Sequence, residues 1–146
     1  MTESKGVEIL LVEDNPRDAE LAIRALRKQD LADRLVHVKD GQEALDWLFA
    51  EGRYSGRDVD QKPKVVFLDI KLPKRNGIEV LAAVRADPRT RHLPVVILTS
   101  SHEDQDVSKA YAIGSNSYIV KPVEFEKFSK TIGEAARYWL HLNQPP

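Results

Sequence analysis

The feature that most narrows what this chain can fold into is an alternation. Short apolar runs of four to six residues are each followed by a longer amphipathic stretch, five times over in 146 residues. Val7–Val12 (VEILLV), Arg34–Val38 (RLVHV), Lys64–Asp69 (KVVFLD), Pro94–Thr99 (PVVILT) and Ser117–Val120 (SYIV) read as strands. Between them Pro16 opens a helix with Leu21, Ala22, Ala25 and Leu26 on one face, and Gly41–Gly52 forms a second, ended by its glycine. GIEVLAAVRAD stops before Pro88, and EDQDVSKAYAIG closes on Gly114 as a C-cap. The last helix covers Val123–Leu142, with Phe125, Phe128, Ile132, Ala136 and Trp139 at three- and four-residue spacing.

Strict strand–helix alternation implies an α/β fold with a parallel sheet and helices on both faces. Right-handed crossovers and five strands favour a flavodoxin-like sheet in the order 2-1-3-4-5, with five helices. The expected organisation is one domain over residues 1–146, core about 8–142, with no effector domain after the last helix. Lys and Arg number 22 against 23 Asp and Glu, so no net basic field points to nucleic acid or an anionic membrane. The chain has no cysteine, which removes disulfides, thiol nucleophiles and thiolate metal sites. No segment is long and apolar enough to span a bilayer, and a cytoplasmic location is the expectation. The polar stretch Glu51–Lys64 reads as a long exposed loop, and Arg85, Arg89 and Arg91 as a solvated basic patch. Trp47 is expected in or near the core, and the scattered histidines lack metal-ligand spacing.

Ligands of an open parallel sheet gather at the carboxyl ends of its strands. Strand one ends in Glu13-Asp14, strand three in Asp69, strand four in Thr99-Ser100-Ser101 and strand five in Lys121-Pro122. In the order 2-1-3-4-5, strands one and three are neighbours, so three carboxylates converge, with Thr99 and Lys121 on the other side. Their mutual repulsion amounts to several kcal/mol at an effective dielectric of about 20. A hard divalent cation offsets it, and an oxygen-only ligand set favours Mg²⁺ or Mn²⁺ over zinc. Such a site suits phosphoryl chemistry, with Lys121 as a point charge for phosphate and Thr99 as a hydroxyl donor. Taken singly, Asp14 reads equally well as the N-cap of the following helix.

LLVEDN, VVFLDIKLPKRNGIEVL, LPVVILTSS and YIVKP together resemble the signatures of receiver domains of bacterial two-component response regulators, over about Glu8–Leu142. The resemblance implies Asp69 as phosphoacceptor, taking its phosphoryl group from a sensor kinase phosphohistidine. It implies Glu13, Asp14, Asp69 and the Lys71 backbone carbonyl as Mg²⁺ ligands. It also implies Thr99 and Tyr118 as switch residues and Lys121 as the phosphate-binding lysine, before a cis proline. The acidic pair is Glu-Asp where Asp-Asp is commoner, and Lys71 and Ser101 occupy positions that influence attack of water on an acyl phosphate. The long loop and the YWL near the end are similar to stand-alone receivers paired with phytochrome-type sensor histidine kinases. Output would then pass by protein contact or by onward phosphotransfer to a downstream protein, without enzymatic turnover of a substrate. The aromatic-rich last helix (Tyr138, Trp139) suggests a homodimer through helix four, strand five and helix five, although packing within the same fold explains the aromatics too.

Two other readings compete. A phosphohydrolase of the haloacid-dehalogenase type needs an acidic residue two after its nucleophile, where this chain has Lys71, and a cap domain. A flavin-binding module needs a phosphate-cradling loop after strand one, where this chain has acidic EDNPRDAE.

Overall fold

The computed structural model describes residues 6–31 and 33–146. Five strands form one parallel sheet in the order β2-β1-β3-β4-β5. They are β1 Ile9–Val12, β2 Leu35–Val38, β3 Val65–Leu68, β4 Val95–Thr99 and β5 Ser117–Val120. The helices are α1 Pro16–Lys28, α2 Gly41–Leu48, α3 Gly77–Ala86, α4 Asp104–Ile113 and α5 Phe125–Arg137. The order and the element count are those the alternation predicts.

The side-chain alternation of each strand explains the two cores. Leu10, Val12, Val66, Leu68, Val95 and Ile97 pack against α2, α3 and α4 on one face, with buried Trp47 among them. Ile9, Leu11, Val65, Phe67, Val96 and Leu98 pack on the other against α1 and α5, where Phe128, Ile132 and Ala136 close the layer. Strands apolar on both faces are what a fully covered parallel sheet requires. Register then places the site: Val12 pairs with Leu68, and Thr99 with Val120. The residues after them, Glu13, Asp69 and Lys121, therefore emerge at one edge of the sheet.

Two local expectations are corrected and a third is extended. Helix α2 ends at Leu48, short of Gly52, because Ala50 turns left-handed at φ 54° and the Glu51 N–H closes the turn on the Asp46 carbonyl at 2.8 Å. The following loop is tethered as well as exposed. Arg57 stacks on the Trp47 ring at 3.5 Å and donates to the Trp47 carbonyl, while the Tyr54 hydroxyl donates to Glu43 Oε2 at 2.7 Å. The last helix changes to one turn of π-helix over Tyr138–Leu142, and Trp139 packs partly against the α1–α5 core with its ring edge-on to Tyr138.

Arg85 departs furthest from the solvated patch expected of it. Its guanidinium donates to the carbonyls of Gly114 (2.9 Å), Leu93 (2.7 Å) and Arg91 (3.2 Å), and to Asn116 Oδ1 (2.8 Å). The same Asn116 oxygen accepts the Val95 N–H at 2.7 Å. One side chain thus joins the ends of α3 and α4 to the start of β4. Gly114 is needed here, since it sits at φ 118° and a Cβ would press on Arg85 at 3.1 Å. Arg85→Ala strands several carbonyls and should lower the unfolding free energy by about 2 kcal/mol in a urea titration. A loss below about 0.5 kcal/mol, the ordinary range of surface substitutions, would mean water replaces the guanidinium freely.

Candidate functional site

The site is built from the first residues beyond the strands. The Glu13 N–H still bonds the Val38 carbonyl (3.0 Å), that of Asp69 the Val12 carbonyl (3.2 Å), and that of Lys121 the Thr99 carbonyl (2.8 Å). Each functional side chain is therefore fixed by the sheet's own ladder before any side-chain contact is made. Asn15, not Asp14, caps α1, its Oδ1 accepting the N–H groups of Arg17 (2.9 Å) and Asp18 (3.1 Å). That leaves the exposed Asp14 carboxylate to join Glu13 and Asp69, and ligand oxygens of the three lie within 4.8 Å of one another.

Lys121 holds this cluster together. Its Nζ donates to Glu13 Oε1 at 2.5 Å, to Asp18 Oδ2 at 2.9 Å and to Asp69 Oδ2 at 3.0 Å. Glu13 and Asp69 are both buried, 3 % and 8 % exposed. Burial pushes the Glu13 carboxyl up to about 7, and the hydrogen bond and charge of Lys121 only partly oppose that. Burial alone would lower the Lys121 ammonium, but the bonds to Glu13 and Asp18 and the charges of Asp69 and Glu13 outweigh it and raise it. One ammonium serves three carboxylates while Asp14 stands beside two of them, an arrangement with negative charge to spare. Oxygen-only donors in that excess fit a divalent cation, with Glu13, Asp14 and Asp69 as its side-chain ligands.

The remaining Asp69 oxygen, Oδ1, accepts the Lys71 backbone N–H at 3.3 Å. The chain turns sharply after Asp69, and Gly77 is required because a Cβ there would collide with the Asp69 carbonyl. Its N–H closes the turn on the Ile70 carbonyl at 2.8 Å. Thr99 is fully buried at the end of β4, and its Oγ1 accepts the Ser101 N–H at 3.4 Å. Ser101 Oγ donates to Asp106 Oδ2 of α4 at 2.6 Å, and the Tyr118 hydroxyl donates to the Ser101 carbonyl at 2.8 Å. Thr99 and Tyr118 therefore meet through Ser101. The Lys121–Pro122 bond is trans, since no peptide bond among the described residues is cis. This corrects the expected cis proline: Nζ reaches its partners from a trans linkage.

Sequence reasoning missed Asp18 and Asp106, which lie inside helices and resemble ordinary first-turn acids. His37 Nε2 donates to the Glu13 carbonyl at 2.8 Å. Asp69→Asn removes one crowded charge and should stabilise the metal-free protein by about 1 kcal/mol, roughly 2–4 °C in a thermal melt. A divalent cation at about 100 times its Kd should add roughly 2.7 kcal/mol to the unsubstituted protein. No cation effect would contradict the ligand set.

The family model for the response regulator receiver domain matches residues 9–133. The chain is 42% identical over 139 residues to the probable methanogenesis regulatory protein FilR2 of Methanothrix harundinacea, covering 94% of this chain and 86% of that one. The crystal structure of the phosphorylated cyanobacterial phytochrome response regulator RcpA superposes with a TM-score of 0.88 at 33% identity, over 97% of this chain and 99% of that one. That of the Mn²⁺-bound response regulator Rcp1 of Synechocystis gives 0.87 at 32%, with the same coverage.

Proposed function

The chain belongs to the response regulator receiver domain family, and on that premise we propose that Asp69 is its phosphoacceptor, loaded by a sensor histidine kinase. The observation that carries this is Asp69 Oδ2 on Lys121 Nζ at 3.0 Å, inside the Glu13–Asp14–Asp69 cluster. An Asp69 oxygen attacks phosphorus, the P–O bond forms as the P–N bond of the phosphohistidine breaks, and the imidazole leaves with the electron pair. The protein's work is positioning and charge neutralisation. Lys121 Nζ and the Thr99 hydroxyl are the donors for the phosphoryl oxygens. Glu13, Asp14, Asp69 and the Lys71 carbonyl would hold Mg²⁺, which supplies charge neutralisation on the transferring group. A dication bound there would relieve the buried Glu13, whose carboxyl burial pushes up to about 7.

Lys71 in place of an acid two residues after Asp69 argues against a phosphohydrolase. The chain thus serves as a signalling module whose own chemistry is limited to gaining and losing the Asp69 phosphoryl group. The similarity to a phytochrome response regulator supports a phytochrome-type kinase as donor, acting in the cytoplasm on one receiver unit. Among the described residues no helix is long and apolar enough to cross a membrane. Incubation with a small phosphodonor and Mg²⁺ should add one phosphoryl group to the unsubstituted protein, none to Asp69→Asn, and none after chelation. Equal labelling of Asp69→Asn would overturn the assignment.

Exposed Tyr111, Val120, Tyr138 and Leu142 on α4, β5 and the end of α5 support a homodimer through that face. Tyr118 belongs to β5 and Ser101 holds Asp106 of α4, so phosphorylation at Asp69 should alter assembly through those elements. Sedimentation with and without beryllofluoride should show a dimer at micromolar concentration that tightens with the mimic. A monomer in both conditions up to about 100 μM (weaker than about 5.5 kcal/mol) would refute it.

A further inference from the structure

An ammonium has three N–H donors, and Lys121 spends all three on carboxylates. Two of the acceptors, Glu13 and Asp69, belong to the cation cluster. The third, Asp18, does not. It lies in the first turn of α1, its carboxylate 33 % exposed, and its backbone N–H is held by the Asn15 cap. Among the described residues, Lys121 is its one ion-pair partner.

We propose that Asp18 is a positioning residue for phosphoryl transfer, anchoring Lys121 from α1 so that its ammonium is not committed wholly to Glu13 and Asp69. This rests on the reading of Asp69 as phosphoacceptor. A lysine shared by Glu13 and Asp69 alone would neutralise the same oxygens that a cation must use. Asp18 draws part of that charge aside, at 2.9 Å against 3.0 Å for Asp69. Once cation and phosphoryl group occupy the cluster, Lys121 has to leave a carboxylate of the cluster for a phosphoryl oxygen. The Asp18 bond lies outside that exchange and survives it, so Nζ stays on the α1 side of Asp69 throughout. Simple bulk charge would make a different demand, because any acid of α1 would then serve equally well. Glu20, 71 % exposed and paired with Arg24 on the same helix, is the control for that.

The test measures Mn²⁺ binding calorimetrically for the unsubstituted protein, Asp18→Ala, the isosteric Asp18→Asn and Glu20→Ala, then phosphorylation by acetyl phosphate at saturating Mn²⁺. Asp18→Ala should weaken Mn²⁺ about tenfold, Asp18→Asn should move the same way, and Glu20→Ala should stay within about twofold. Phosphorylation of both Asp18 variants should remain several-fold slower at saturation, which loss of metal affinity alone would not cause. Equal Kd values for Asp18→Ala and Glu20→Ala, or full recovery of the rate at saturation, would overturn the role of Asp18 and leave the Asp69 reading intact. Failure of the unsubstituted protein to take up either Mn²⁺ or phosphoryl would instead overturn that reading.

Discussion

The ion pairs of Lys121 are the interaction on which the end of the sheet depends. Three carboxylates, from the ends of β1 and β3 and from α1, hold one ammonium brought in after β5, and Asp14 adds a fourth beside Glu13 and Asp69. Without that ammonium the buried Glu13 and Asp69 would face one another unscreened, since neither has the water that keeps surface acids apart. The fold tolerates the crowding because backbone ladder bonds fix all three strand ends independently of the side chains. Charge is thereby concentrated by rigid elements at a place where neutralisation is incomplete, and incomplete neutralisation is what makes the place chemically useful.

From there a short path leads outward. Thr99 is linked through the Ser101 N–H to a residue whose hydroxyl holds Asp106 and whose carbonyl holds Tyr118. A group that engages the Thr99 hydroxyl competes with the long 3.4 Å bond first, the weakest link in the set. Movement of Ser101 then acts on the first turn of α4 and on β5 together. The far end of α4 is held by Arg85 at the Gly114 carbonyl, so displacement of the near end would tilt the helix about that anchor. We propose this path as the route by which charge at Asp69 would change that surface.

Much of this could be read from the chain. Apolar runs with intervening amphipathic stretches define the sheet order, and the polar residues that end those runs name Glu13, Asp14, Asp69, Thr99 and Lys121. The parts that escaped are those in which one side chain has two plausible roles. Asp18 and Asp106 sit where helix dipoles favour any acid, and only three-dimensional placement separates a dipole partner from a lysine or serine partner. Arg85 lies among other arginines near a loop, and nothing in its neighbours along the chain reveals that Gly114 and Asn116, about thirty residues on, need its donors. Gly52 has the look of a C-cap for helix α2, whereas the chain leaves the helix earlier through Ala50 at positive φ. The Lys121–Pro122 bond keeps the trans form that an X–Pro bond prefers locally.

We propose the carboxylate held by Lys121 at the end of β3, that of Asp69, as the one that carries the phosphoryl group. Reduction with borohydride after phosphorylation converts an aspartyl phosphate to homoserine and leaves free carboxylates untouched. Peptide mass spectrometry of the reduced protein should then find homoserine at position 69 and aspartate retained at 14 and 18. Homoserine at either of those positions, or phosphate surviving reduction on a serine, threonine or histidine, would contradict the account.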